Sequence, residues 1–315
     1  MLLQQLITFC RVVEAGSFTR AAELLNLTQP AVTRQVAALE AEFGEPLLDR
    51  QGRHFRLTAA GEIVYEHARR VVAVVDSARR QVEALSSPEQ GQVSIACVTT
   101  TGLFTLPGLL AAFSRQYPAV RIRVWSGKIA AVMDRVLDGE SDLGLVTMPV
   151  THPRLESVPL FRDRVVLVAS PSEAARLPNP LTLGHLAELD MIAYQAPSRF
   201  RTLIEAHLET VGVYPRVAME FDSHEAVKTM VLLGYGVAMV PESTVRAELD
   251  SGALIELRVD GLPPLHRTTS MLLRRDAAPR ARAVENFIRL VLERYGAVGA
   301  EGITEPEEPG APSAP

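Results

Sequence analysis

The chain has 315 residues, 47% of them hydrophobic, with a formal net charge of −5 and two cysteines. That length suits about two domains of roughly 100–200 residues with packed cores, and the cysteine count excludes a disulfide scaffold. No apolar run approaches the ~18 residues of a membrane helix and none reads as an export signal, so a cytoplasmic protein is expected; the acidic balance excludes a partner held only by a broad positive field.

A first helix is expected around Leu6, Phe9 and Val13, with Cys10 on its apolar side. Residues 16–40 then read as two short helices joined by a tight turn. Ala21, Ala22, Leu24 and Leu25 pack the first; Asn26 sits in the turn, where it tolerates a left-handed backbone. Thr28 is placed to cap the second helix, with Gln29 and Pro30 in its first turn. Val32, Val36 and Leu39 recur inward at helical spacing. Gln29, Pro30, Thr33 and Arg34 lie on the other face, where the polar members can hydrogen-bond base edges and phosphates. Residues 47–58 predict two short strands around Gln51-Gly52, a wing presenting Arg50, Arg53, His54 and Arg56 to a phosphate backbone. Residues 1–60 hold six arginines and six acidic residues, so DNA affinity would rest on placed contacts.

From Ala59 to Leu85 there is no proline and glycine occurs only at Gly61. Val64, Ala68, Val71, Val75, Ala78, Val82 and Leu85 are spaced alternately by four and three, a heptad seam that predicts self-association. Beyond the polar break at residues 86–91, strands alternate with helices, which implies parallel sheets covered by helices. Strands are predicted over 93–98, 120–125, 142–147, 164–169, 191–194, 216–221, 237–240 and 268–273. The principal helices lie over 102–117, 130–137, 200–211, 223–233 and 280–295. In open α/β sheets a ligand sits beyond the carboxyl ends of the strands. Thr99, Thr100 and Thr101 at a helix start, Ser126, Thr147, Ser198, Arg199 and Arg201 occupy such positions, which suits a small anion or organic acid. Asp222-Ser223-His224-Glu225 reads as a helix cap.

The order of elements and the motifs Ala21-Ala22, Thr28-Gln29-Pro30-Ala31, Arg34-Gln35, Leu39-Glu40, Phe43-Gly44, Leu47-Leu48, Arg50 and Leu57-Thr58-Ala60-Gly61 resemble the LysR-type transcriptional regulator family. So do Leu106-Pro107, Tyr117-Pro118, Gly139 before Asp142-Leu143, and Leu233-Gly-Tyr-Gly-Val237 ending at Pro241; the likeness runs to about residue 295. It implies a fold of α/β plus all-α class. A winged helix-turn-helix domain (1–58) is followed by a linker, or dimerisation, helix and hinge (59–91). A two-lobed, type 2 periplasmic-binding-protein-like effector domain (92–295) comes next, and a disordered tail (296–315) ends the chain. Lobe 1 would hold about 92–162 and 267–295 and lobe 2 about 163–266, the chain crossing near Arg162 and His266. The implied partners are double-stranded DNA carrying an inverted-repeat operator, a small-molecule effector and further copies of the chain as homodimer or homotetramer, with RNA polymerase left open. The Val98 before the threonines and the Pro197-Ser198-Arg199 segment match no effector subgroup, so effector identity does not transfer.

No enzyme, cofactor or metal is expected. The seven histidines lack metal-ligand spacing, and Gly234-Tyr-Gly236 precedes a strand instead of opening a helix after one. Ser86, Ser87, Ser170 and Ser172 have no strand–turn–helix context. Two other classes compete: an architectural DNA-binding protein with a vestigial sensor, and a transport-type solute-binding protein, which would have no use for residues 1–60.

Overall fold

The computed structural model describes residues 2–49, 55–86, 91–275 and 280–295. Three helices, α1 (Leu2–Ala15), α2 (Phe18–Leu25) and α3 (Gln29–Phe43), precede a minimal antiparallel pair, β1 (Leu48–Asp49) and β2 (Arg56–Leu57). Phe9, Val12, Ala21, Val32, Val36 and Leu39 close a core with no exposed surface. Ser17 caps α2 through Arg20 N, and Asn26 ends it in the left-handed region at φ 53°. Thr28 stands at the N-cap of α3 but makes no side-chain capping bond, so the turn is fixed by Asn26 and by packing.

The long helix α4 (Ala59–Ser86) leaves this core directly. Thr58 Oγ1 accepts from Gly61 N at 2.9 Å and donates to Pro46 O at 2.6 Å, which sets the helix entry. Gly61 is required there: a Cβ would lie 2.0 Å from the Leu47 carbonyl oxygen.

The remaining chain forms two α/β units. The first contains β3 (Gly91–Val98), α5 (Leu106–Gln116), β4 (Val120–Gly127), α6 (Ile129–Leu137) and β5 (Leu143–Thr147). Next comes the long β6 (Leu155–Ala169). The second unit adds α7 (Pro171–Ala174), β7 (Leu181–Thr182), α8 (Leu183–Glu188), β8 (Asp190–Tyr194), α9 (Arg199–Glu209), β9 (Arg216–Phe221), α10 (His224–Leu232) and β10 (Ala238–Pro241). After α11 (Arg246–Asp250), β11 (Ile255–Glu256) and β12 (Val259–Asp260), β13 (Leu265–Arg274) returns beside β6, and α12 (Arg282–Tyr295) covers the first unit.

The large sheet runs β10-β6-β13-β5-β3-β4. It is mixed rather than purely parallel: β3 is parallel to β4 and β5, whereas β13 runs antiparallel to β5 and β6. The β6–β13 ribbon spans both units, with Arg164 opposite His266 and Asp163 opposite Arg267. Its opening half was not expected, because Pro159 interrupts the strand pattern; the register shifts beside it, between Thr269 and Ser270. Separate apolar cores fill the units, one around Ile95, Phe113 and Phe287, the other around Val168, Ile192 and Val227.

Candidate DNA-reading face and ligand crevice

Helix α3 turns Val32, Val36 and Leu39 inward, which leaves Gln29, Pro30 and Arg34 exposed and Thr33 half-buried. Gln29 Nε2 donates to Thr33 Oγ1 at 3.2 Å, so the two side chains hold one another in place. Arg34 makes no ion pair among the described residues. Glu40, nearly two turns further on, accepts from Leu47 N at 3.0 Å and Leu48 N at 3.2 Å and thereby fixes the root of the wing to α3. Arg56 is exposed on β2; Arg50 and Arg53 lie outside the described residues.

The seam residues on α4 divide. Val64 and Ala68 are buried in the reader's own core and cannot face a partner. Val71 (44% exposed) and Val82 (64%) are uncovered, together with Ile63 (62%) and Val74 (58%), which the heptad did not include. Ala78 is exposed and Val75 half-buried; the Leu85 side chain lies outside the described set. The correction is physical: α1 packs on the first turns of α4, so the apolar strip left uncovered is rotated toward 63, 71, 74 and 82.

On its third side α4 is tied to the first α/β unit. Arg69 Nε donates to Glu140 at 2.7 Å and Arg70 Nε to Asp138 at 2.7 Å. Arg135 joins Glu140 at 2.8 Å. The Arg69 guanidinium lies 5.6 Å from the Tyr65 ring centroid, and that of Arg135 lies 4.8 Å from that of Trp125.

At the carboxyl end of β3 the chain turns at once into helix, passing through a π turn at Thr101–Thr105 before α5. Such turns interrupt helices at functional sites. Thr99 is exposed and Thr100 buried. Thr101 is 2% exposed, and its hydroxyl has no hydrogen-bond partner among the described residues. Thr147 is buried at the end of β5, opposite Thr269, and Ser126 is exposed at the end of β4. In the second unit Ser198 caps α9 through Arg201 N, and Arg199 Nη1 donates to Pro149 O at 3.5 Å.

Arg201, expected at the ligand, is paired within the second unit through two of its nitrogens. Its Nε donates to Glu205 at 2.6 Å, and its Nη1 bonds Tyr194 O at 3.0 Å and Glu220, so it ties α9 to the β8–β9 pair. Ser223 likewise makes no capping bond, and His224 has another part. Its Nδ1 lies 2.9 Å from the Tyr194 hydroxyl, and Phe200 packs against both rings. Beside them Arg267, 5% exposed, donates from Nε (3.1 Å) and Nη2 (2.8 Å) to Asp163 Oδ2. Asp163 also accepts from Ser243 N at 3.2 Å and Ser243 Oγ at 2.6 Å. Burial, and then the charge of Arg267, push the His224 imidazole down to about 3, so the ring is neutral. Tyr194, Asp163 and Arg267 gave no signal in sequence; only the position of His224, just after the strand at 216–221, could have marked it.

Burial pushes the Cys10 thiol up to about 12, with Glu14 adding to it, and the Cys97 thiol up to about 11. Both are inert core groups. Among the described residues no helix is long and apolar enough to cross a membrane.

A winged helix-turn-helix domain on a long helix, joined to a two-unit α/β domain, defines a one-chain regulator architecture with a reader and a sensor. The bacterial regulatory helix-turn-helix protein profile of the lysR family matches residues 3–62, and the LysR substrate binding domain profile matches residues 86–296. The chain belongs to the LysR family of transcriptional regulators. It is 31% identical to the RuBisCO operon transcriptional regulator of Acidithiobacillus ferrooxidans, over 98% of this chain and 97% of that one. It is 32% identical to the transcriptional regulator CbbR of Rhodospirillum rubrum, over 91% and 95%. The crystal structure of CbnR, a LysR family regulator, superposes with a TM-score of 0.72 at 25% identity, covering 93% of this chain and 99% of that one. CbnR complexed with its target DNA gives 0.71, with the same identity and coverage. These relatives are regulators, not enzymes.

Proposed function

We propose that the chain senses a small anionic effector, an organic acid in the simplest case, between its two α/β units and converts binding into altered operator contacts and DNA bending. Gln29, Pro30, Thr33 and Arg34 enter the major groove; Arg50, Arg53 and Arg56 hold phosphates or line the minor groove. The exposed strip on α4 pairs two chains, which sets two readers on an inverted repeat, and the sensor domains join two such pairs into a tetramer. Both events take place in the cytoplasm.

The observation that carries the sensing half is the Thr101 hydroxyl, buried without a partner among the described residues where a strand runs into a helix start. Backbone N–H groups and threonine hydroxyls there suit an anion, and Arg199 stands on the opposite unit. A ligand shifts the regulator only as far as it prefers one arrangement over the other.

The test is footprinting of the full chain on its own promoter region against a panel of metabolic anions, aromatic acids, amino acids and sugar phosphates. An anion that changes the footprint, with the change lost in Thr100→Ala and Arg199→Ala, supports the reading. An unchanged response in both variants overturns the site, and a footprint that no compound alters favours the architectural alternative.

A further inference from the structure

His224 opens α10 just beyond β9, beside the last residue of the parallel strand β8, Tyr194. The Tyr194 hydroxyl is buried, and the imidazole Nδ1 at 2.9 Å is its one hydrogen-bond partner among the described residues. If Nδ1 carried the proton, the phenolic hydrogen would be buried without an acceptor, the costlier defect. Tyr194 therefore donates to Nδ1, and the neutral ring carries its proton on Nε2. Nε2 has no partner among the described residues, and the His224 side chain is half-buried, not enclosed. Arg267 Nη1 likewise has no hydrogen-bond partner among the described residues, since Nε and Nη2 are the atoms engaged by Asp163. The two unengaged donors flank one ring: Phe200 lies 5.7 Å from the His224 centroid and 5.6 Å from the Arg267 guanidinium. A charged side chain that is 95% covered and still has an unpartnered N–H is a built group and not a solvated surface arginine.

We propose that His224 Nε2–H and Arg267 Nη1 form the second half of the ligand site and take an oxyanion. This rests on the reading of the crevice at Thr99–Thr101 as the effector site. The effector is then an acid with oxygen acceptors at two ends, a dicarboxylate in its simplest form, one end at the threonines and the other at His224 and Arg267.

The experiment is calorimetric titration of the full chain with malonate, succinate and glutarate, and with butyrate as a one-ended control. His224→Asn keeps an acceptor for the Tyr194 hydroxyl but removes the Nε2 donor; His224→Gln restores a donor at the outer position. Expected is binding of at least one diacid, with butyrate weaker. His224→Asn should raise the Kd by about tenfold or more, equivalent to about 1.4 kcal/mol, without lowering the ligand-free melting temperature, and His224→Gln should stay close to wild type. Wild-type affinity in His224→Asn, or equal loss in His224→Asn and His224→Gln, overturns the assignment. Thr101→Val separates the two ideas: loss of diacid binding there, with His224→Asn intact, leaves the crevice as the site and removes His224 from it. Wild-type affinity in both variants overturns both. If no diacid binds, the two-ended class is wrong, and the crevice stands or falls on whether Thr101→Val abolishes the footprint response to a compound of the wider panel.

Discussion

Arg267→Met tests whether the buried pair at the crossing of β6 and β13 holds the sensor together. Asp163 and Arg267 are 7% and 5% exposed, and two donors of the guanidinium bind one carboxylate oxygen, at 3.1 and 2.8 Å. Removing one partner of a buried pair leaves an uncompensated charge, at a cost of about 3–5 kcal/mol. Here the two bonds from Ser243 remain on Asp163, which places the loss toward about 3 kcal/mol. For a domain of this size that lowers the melting temperature by roughly 6–12 °C. Asp163→Asn/Arg267→Met removes both charges and should recover most of the loss, because the penalty lies in the orphaned carboxylate. Thermal unfolding followed by circular dichroism reads it, with fluorescence of Trp125, the chain's single tryptophan, reporting on the first unit. A fall below about 2 °C in Arg267→Met, less than 1 kcal/mol for a domain this large, or a double variant no better than the single, would show that the pair is effectively solvated and refute the argument.

Three further outcomes follow from the geometry. Arg34→Ala or Gln29→Ala should relax base preference by about 1–3 kcal/mol at one position of the operator, whereas Arg56→Ala should weaken binding on every sequence and reduce the salt slope by about 1; a binding-site selection assay and a salt titration separate them. Gly61→Ala forces a methyl group against the Leu47 carbonyl and should cost the reader about 1–3 kcal/mol, read as a lower urea midpoint; an unchanged midpoint would mean that the wing root gives way freely. The His224 imidazole is held below its unfolded value of 6.5, so the unfolded chain binds the extra proton first. Its contribution is complete above pH 6.5 and lost as pH falls toward 3, about 2 kcal/mol between pH 6.5 and 5. His224→Gln should flatten that limb of the stability profile, and an equally steep limb in the variant would assign the loss to other groups.

Local chemistry was legible in the sequence, and long-range partnership was not. Asn26 and the inward set Val32, Val36 and Leu39 announce themselves because turn chemistry and helical period act within a few residues. The heptad on α4 counts apolar positions correctly, but period alone cannot say whether α1 or a second chain covers Val64 and Ala68. Arg201 reads as an unengaged cation until folding brings Glu220 to it, nineteen residues away. The Tyr194–His224 and Asp163–Arg267 pairs are separated by 30 and 104 residues. No spacing rule reaches them, since the β6–β13 ribbon and the parallel β8–β9 pair create the neighbourhood.

The three faces of α4 constrain how a signal leaves the sensor. Val64 and Ala68 lock the helix into the reader, Val71 and Val82 are uncovered on another face, and Arg69 and Arg70 hold Glu140 and Asp138 of the first unit. The Arg69–Glu140 and Arg70–Asp138 pairs tie the first unit to the reader through α4, so the proposed closing of the crevice should move the second unit and leave that connection in place. The prediction is a distance that changes and one that does not. His67→Cys on α4 can be spin-labelled with Arg115→Cys on α5, or with Glu209→Cys on α9, all three sites being exposed. Native Cys10 and Cys97 are buried, their pKa values pushed up to about 12 and 11, so they should not compete for the label. On adding an effector, the 67–209 distance within one chain should shift while the 67–115 distance holds. A shift in the 67–115 pair would mean that the Arg69–Glu140 and Arg70–Asp138 ties break during signalling. The signal would then pass through α4 itself and not through the outer surface of the second unit.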